Sequence, residues 1–243
     1  MKKYGLIGFP LTHSFSQKYF QQKFIDEQLT DCTFINYSIE KIEDIKNILS
    51  DNALKGFCIT IPHKKNILPY LHSATDPVLK MQACNCVQIK EGKLIGHNTD
   101  VTGFKNSFIA HLQPYHHRQA LILGTGGAAA AVAYVLEELK IPYKYVSRTK
   151  KPDNYTYEEL DQTILEQYTI IINASPIGTY PNIEEAPAIP YQYITPQHYL
   201  YDLVYNPAKT KFLQSGEERG AVIQNGYPML TIQAEENWKI WNG

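Results

Sequence analysis

Four short polar patterns in the first hundred residues carry side chains able to do chemistry: Ser14-Phe15-Ser16, Thr60-Ile61-Pro62-His63-Lys64, Cys84-Asn85-Cys86 and Asn98-Thr99-Asp100. A lysine and a carboxylate together can pass a proton to and from an oxygen, which is general acid–base work. Hydroxyls and amides around them can hold a small polyhydroxylated acid. Taken singly, each has a plainer reading. Ser14 or Ser16 can cap the helix that follows, Lys64 can be a solvated lysine, Asn85 a hairpin residue and Asp100 a helix cap. Yet each falls where a strand should end, and ligands of open α/β sheets bind outside the carboxyl ends of the strands. The joint placement favours a shared site.

A second chemistry is written at Ala120-Leu-Ile-Leu-Gly124-Thr-Gly126-Gly127-Ala128-Ala129, an apolar strand running into a glycine turn and an alanine-rich helix. Gly124, Gly126 and Ala129 fit G-x-G-x-x-A. The first glycine permits the tight turn, the second lets a pyrophosphate approach the backbone, and the small third residue lets helix and strand pack closely. Free N–H groups and the dipole at the helix start favour the phosphate charge. A turn that binds nothing is the rival reading, and the strand–turn–helix context disfavours it. An NAD site usually places an acid about 20 residues beyond the glycines, to hold the ribose hydroxyls. Here the next strand ends in Arg148-Thr149-Lys150-Lys151, with no acid until Asp153. A guanidinium offers a planar fork of donors to a phosphate. NADP is the expected cofactor.

Elements able to position these groups alternate along the chain. Strands are expected at residues 3–7, 33–39 and 56–61, with helices at 16–28 and 40–49 between them. A hairpin over 84–89 and 93–95 turns at Glu91-Gly92, and a helix follows at 101–112. A polar loop then holds His116-His117, for which a surface role is expected. A second series has strands at 119–123, 143–147, 169–173, 199–203 and 221–223, and helices at 128–139, 157–166 and 209–218. Residues 177–196, rich in Pro and Tyr, read as loop, and a final helix spans 228–241. Such alternation argues for βαβ units and parallel sheets. The fold expected is α/β with two domains, hinged near residues 100 and 225. Residues 1–100, completed by 226–243, form an α/β substrate domain to which the C-terminal helix returns. Residues 101–225 form a Rossmann-like dinucleotide-binding domain.

Composition bounds the function. The chain has 243 residues, 44% hydrophobic and 19% charged, with a formal net charge of −1. Nothing in that balance draws nucleic acid or an anionic membrane as partner, so an anionic ligand must be held by local donors. No apolar run approaches the ~20 residues needed to span a bilayer, and the start lacks the pattern of a cleaved leader. Cysteines 32, 58, 84 and 86 form no C-x-x-C pair, which argues against zinc or a disulfide framework. Reduced thiols and a cytoplasmic location are expected. No metal site is expected.

The order Gly8-Phe-Pro10…Ser14-Phe-Ser16, Thr60-Ile-Pro-His-Lys64, Asn85, Asn98-Thr-Asp100, Gly124-Thr-Gly-Gly-Ala128, Ser147-Arg-Thr149 and Asn173-Ala-Ser-Pro-Ile-Gly178 resembles the shikimate dehydrogenase family over nearly the whole chain. Gly226-Tyr-Pro-Met229-Leu-Thr-Ile-Gln233-Ala matches that family's closing motif. The resemblance implies reversible reduction of 3-dehydroshikimate to shikimate with NADPH, by a monomer or homodimer with a small-molecule substrate. It implies that Lys64 and Asp100 are catalytic and that Ser14 and Ser16 bind the substrate carboxylate. Thr60, Asn85, Asp100 and Gln233 would hold ring hydroxyls, and Tyr205 would contact the substrate. Gly124, Gly126, Gly127, Ala128, Arg148, Thr149, Asn173, Ser175, Gly226 and Met229 match cofactor-side positions.

The chain departs from the pattern in three places. His63 replaces the more usual aromatic or apolar residue before the lysine. A further arginine after S-R-T is missing, leaving Lys150 or Lys151 to substitute without bidentate geometry. The chain stops soon after Trp241, where family members commonly carry another helix. Rival readings are a quinate/shikimate dehydrogenase of broader range, a non-catalytic sensor of shikimate-like acids, and a folate-linked dehydrogenase of similar plan. Retention of Lys64 with Asp100 speaks against the sensor. The paired serines and N-T-D speak against the folate enzyme.

Overall fold

The alternation resolves into two β-sheets in a computed structural model that describes residues 1–11 and 14–243. The first series is β1 (Lys2–Gly8), α1 (Phe15–Asp26), β2 (Cys32–Ser38), α2 (Ile45–Leu49), β3 (Leu54–Ile59), α3 (His63–Asn66), β4 (Ser73–Ala74), α4 (Asp76–Met81), β5 (Cys86–Lys90), β6 (Lys93–His97) and α5 (Thr99–Ile109). Its sheet has the order β2-β1-β3-β5-β6-β4. β1 pairs parallel with both β2 and β3, and the β5–β6 hairpin joins β3 antiparallel. Central β1 is buried from Tyr4 to Ile7 as a continuous run, as expected for a strand covered on both faces. One face packs Ile7, Ile45, Phe57 and Ile67; the other packs Tyr4, Phe20, Phe34 and Trp241.

The second series is β7 (Ala120–Leu123), α6 (Gly127–Glu138), β8 (Tyr143–Val146), α7 (Gln162–Gln167), β9 (Ile170–Asn173), β10 (Tyr199–Asp202), α8 (Lys211–Glu217), β11 (Val222–Gln224) and α9 (Tyr227–Asn242). All pairings in its sheet are parallel, in the order β11-β10-β9-β7-β8. β7 therefore sends one crossover to β8 and has β9 on its other side. That reversal is a topological switch point, where a crevice opens at the strand ends. Leu121, Val146, Ile171, Leu200 and Phe212 fill one face. On the other, Phe108 stacks on Tyr199 at 5.3 Å, and the Ser107 and Tyr201 hydroxyls share a 2.6 Å hydrogen bond.

The chain divides into two compact units, Met1–Thr99 with Gln233–Gly243, and Asp100–Ile232. Residues 226–232, grouped from sequence with the first domain, thus pack with the second unit. The 40–49 helix is a 3-10 turn, Ile42–Asp44, followed by α2, and the 157–166 helix splits likewise into Tyr157–Glu159 and α7. α4 has no counterpart among the expected elements; it is short, and it starts on Asp76-Pro77, with proline in its first turn where the missing N–H costs nothing. Among the described residues no helix is long and apolar enough to cross a membrane.

His117 corrects the expectation of a surface role. It is buried at 2% exposure, its Nδ1 accepts from the Gln113 backbone N–H at 2.8 Å, and its ring lies 5.4 Å from that of Tyr199. Burial, with His116 and His198 nearby, pushes its pKa down to about 4 from 6.5. The unfolded chain therefore takes up the proton first. This contribution to stability is complete above pH 6.5 and is lost as pH falls toward 4, a swing of at most roughly 3 kcal/mol. His117→Asn should flatten that acid limb: the fall in melting temperature between pH 7 and pH 4.5 should shrink relative to the native protein. An unchanged fall would assign the acid sensitivity elsewhere.

Candidate active site

Strand register gathers the first set of residues at one end of the first sheet. Ile7 lies beside Ile59 and Cys58 beside Cys86, which in turn faces His97. The next residues, Gly8, Thr60, Asn85 and Asn98, therefore emerge together. A methyl group on Gly8 would run into the Thr60 side chain, so β1 and β3 end in close contact. Ser14 caps α1, its Oγ accepting from the Gln17 N–H at 3.0 Å; its own O–H proton is left to donate. Ser16 is buried one residue into the helix.

Lys64 rides on a turn held by its backbone and by its neighbour. The His63 N–H donates to the Thr60 carbonyl at 2.9 Å, and the Lys64 carbonyl accepts from the Cys84 N–H at 2.8 Å. His63 is buried, and its Nε2 donates to the Ile39 carbonyl at 2.8 Å. The residue that departs from the family pattern thus pins the lysine turn to the end of β2.

Asn85 is the centre of a buried polar cluster that spacing does not reveal. Its Oδ1 accepts from the Thr99 N–H at 2.7 Å and from the Thr99 hydroxyl at 3.2 Å, which fixes the first residue of α5. Its Nδ2 donates to Gln233 Oε1 at 3.5 Å. The Thr99 hydroxyl also lies 2.7 Å from Asn237 Oδ1, and Asn237 Nδ2 donates to Cys58 Sγ at 3.2 Å. Asn85 and Gln233 are thereby brought together, with Thr99 and Asn237 as unanticipated partners. Asp100 follows in the first turn of α5 and is the first residue of the second unit. Tyr205, 40% exposed, also belongs to the second unit.

Of the cofactor-side residues, Gly124, Gly126, Arg148 and Ser175 line a cavity of about 320 Å³ at the switch point, with Val146 and Tyr157 among its other walls. Gly124 has φ +108°, which a side chain would strain, and its added Cβ would sit 3.3 Å from the Ala174 carbonyl. An added Cβ on Gly126 or Gly127 would meet no protein atom within 4 Å. Packing therefore does not demand these glycines. They leave open backbone at the start of α6, a cradle that fits a pyrophosphate.

Asn173 lines no part of the cavity but is wholly buried behind it; its Oδ1 accepts from the Ser175 N–H at 3.1 Å and the Ser175 hydroxyl at 2.6 Å. Thr149 is exposed, its carbonyl taken by the Ser147 hydroxyl at 2.7 Å. Gly127 and Ala128 open α6, whereas Gly226 and Met229 stand at the start of α9, away from the cavity lining. A Cβ on Gly226 would strike the Leu203 backbone, so close approach of chain to chain requires that glycine.

Two side chains change the picture near Arg148. Lys150, offered as a substitute for the missing arginine, is paired with Glu159 at 2.7 Å, and Glu159 also closes a capping box with Thr156. Tyr157, not singled out from sequence, lines the cavity instead; burial raises its pKa, and the nearby Arg148 charge opposes that rise. Asp202, at the end of β10, likewise escapes a reading by motif. Burial pushes its carboxyl up to about 6, against the hydrogen bonds from Thr210, Val204 and Asn173.

Comparison with known proteins bears on the assignment. A family profile described as shikimate dehydrogenase substrate binding domain matches residues 6–87. The shikimate dehydrogenase (NADP(+)) of Caldicellulosiruptor saccharolyticus is 34% identical over 258 aligned residues, covering 99% of this chain and 92% of that one. That of Methanococcus maripaludis is 35% identical over 257, covering 100% and 92%. Among solved structures, shikimate 5-dehydrogenase from Thermus thermophilus, in complex with NADP(H) and shikimate, superposes with a TM-score of 0.86 at 26% identity, covering 100% of this chain and 94% of that one. Identity of that order over nearly the whole length of both chains has one consequence: the chain belongs to the shikimate dehydrogenase family.

Proposed function

We infer that the protein catalyses the reversible, NADP-dependent reduction of 3-dehydroshikimate to shikimate. The observation that carries this reading is the match, over essentially the whole chain, to relatives of that activity. The cradle at Gly126 and the cavity beside Arg148 fit the cofactor the relatives use. Bound NADPH supplies the hydride. This chain's residues do the rest. Ser14 and Ser16 donate to the substrate carboxylate. Thr60, Gln233 and the Asn85 amide hold ring hydroxyls, with Asn85 Oδ1 already fixed by Thr99. The Lys64 ammonium delivers a proton to the carbonyl oxygen as negative charge develops there, and neutral Lys64 takes it back in oxidation. Asp100 orients lysine and substrate hydroxyl together. Tyr205 touches the substrate, and Ser175, Gly226 and Met229 border the cofactor. The enzyme works in the cytoplasm as monomer or homodimer, a setting supported by four free cysteines.

A matrix of shikimate and quinate, each with NADP and NAD, tests this. Shikimate with NADP should give the highest kcat/KM; equal turnover of quinate, or equal use of NAD, would replace the reading with the broader enzyme. Arg148→Leu should weaken NADP by roughly 10–100-fold, the worth of a charge-assisted hydrogen bond or two, and leave NAD nearly unchanged. Equal losses for both would mean that Arg148 does not read the ribose phosphate.

A further inference from the structure

The second sheet buries a carboxylate that the mechanism does not use. Asp202 has no exposed surface, and no cation pairs with it among the described residues. Its Oδ1 accepts from Asn173 Nδ2 at 2.9 Å and from the Val204 N–H at 3.0 Å; its Oδ2 accepts from the Thr210 hydroxyl at 2.6 Å. Burying an anion without a counter-ion is costly, and the groups around Asp202 show what that cost sustains.

The effect is on an amide. A carboxylate only accepts hydrogen bonds, so the Asn173 nitrogen must face it, and the Asn173 oxygen must face the other way. The oxygen there receives both donors of Ser175. The second proton of Nδ2 goes to the Ile177 carbonyl at 3.2 Å. One amide therefore hooks both ends of the short segment 174–177, and that segment is a wall of the cavity. The glycine turn also lines the cavity and meets this segment where Gly124 approaches Ala174. If the amide turned over, its NH2 would face the Ser175 N–H, and both hooks would be lost.

We propose that Asp202 is a positioning residue for the dinucleotide: by accepting from Asn173 it sets which way that amide faces and holds residues 174–177 as one wall of the cavity. The proposal rests on the reading of that cavity as the NADP site. It acts on cofactor binding and leaves the proton chemistry of the first unit alone.

The test compares Asp202→Leu with Asp202→Asn in full-length protein, by steady-state kinetics and by NADPH fluorescence titration. Leucine removes the acceptor. Asparagine can keep its oxygen toward Asn173 and turn its nitrogen to the Thr210 hydroxyl. Asp202→Leu should raise KM and Kd for NADPH by about tenfold or more, the usual cost of leaving a buried partner unsatisfied, with the shikimate KM changed less than about twofold. Asp202→Asn should recover most of the loss. Should Asp202→Leu fail to fold, Asn173→Ala, which removes the hook but leaves Asp202 its Thr210 and Val204 donors, carries the same expectation. A purely structural role would lower the amount of active enzyme and leave the NADPH KM unmoved, and that result overturns the proposal. So does an equal rise in both Michaelis constants. Failure of the native protein to bind NADPH would remove the cavity assignment and the proposal together, whereas native binding with an unaltered KM in Asp202→Leu removes the proposal alone.

Discussion

Lys64→Met should lower turnover by roughly 10²–10⁴-fold, the range in which a positioned general acid or base acts, equivalent to about 3–5 kcal/mol of transition-state stabilisation. The backbone that carries the residue should survive the substitution. The turn that carries residue 64 is fixed by the Thr60–His63 and Lys64–Cys84 backbone hydrogen bonds and by the buried His63 ring, none of which uses the lysine side chain. Methionine keeps most of the aliphatic stem. NADPH binding should survive, because the cavity with Gly126 and Arg148 belongs to the other unit. Stopped-flow or steady-state turnover, read beside NADPH titration, checks both halves. Near-normal turnover in folded protein that still binds NADPH would reduce Lys64 to an orienting residue. Any part His63 then played would fall to its Nδ1, since its Nε2 proton is committed to the Ile39 carbonyl.

Asp100→Asn should cost about 10²-fold in kcat/KM, at the low end of acid–base effects, with a larger share in the shikimate KM than Lys64→Met shows. The carboxylate is assigned both a substrate hydroxyl and the lysine, so its loss is felt in binding as well as in chemistry. Helix α5 should tolerate the change. Its start is held at Thr99 by Asn85, and removing one acid from a first turn forfeits only about 0.3–1 kcal/mol of dipole stabilisation. The double variant Lys64→Met/Asp100→Asn should be little worse than the worse single, as for residues that serve one step. Multiplicative losses would separate the two roles.

The parts of this enzyme that are legible in its sequence are those written in local period. The glycine turn declares itself because an apolar strand, three small residues and a helix follow within one short stretch, and β7 and α6 stand there. α4 escapes although Asp76-Pro77 marks a helix start, because six residues give less than two turns of periodicity. Partnerships across the sheet are beyond reach. Asn85 finds Thr99 14 residues on through strand register, and Thr99 finds Asn237 138 residues on because α9 returns to the sheet; spacing decides neither. His117 misleads because its neighbours are polar; only the position of Tyr199 shows that it points inward. Lys150 carries a partner that spacing does not announce either, Glu159, nine residues on.

The division of the chain has a consequence for its birth on the ribosome. The Tyr4 hydroxyl donates to Asn242, 238 residues later, and Tyr4 stacks on Trp241 at 5.1 Å. At about 5–20 residues per second, β1 is made roughly 10–50 s before the helix that completes its core. Throughout that interval Tyr4, Phe20 and Phe34 lack the indole that closes their cluster, while residues 100–232 emerge and have everything their own sheet needs. The unit begun first is finished last, and it passes its vulnerable period as an open aromatic face of the kind that holding chaperones recognise.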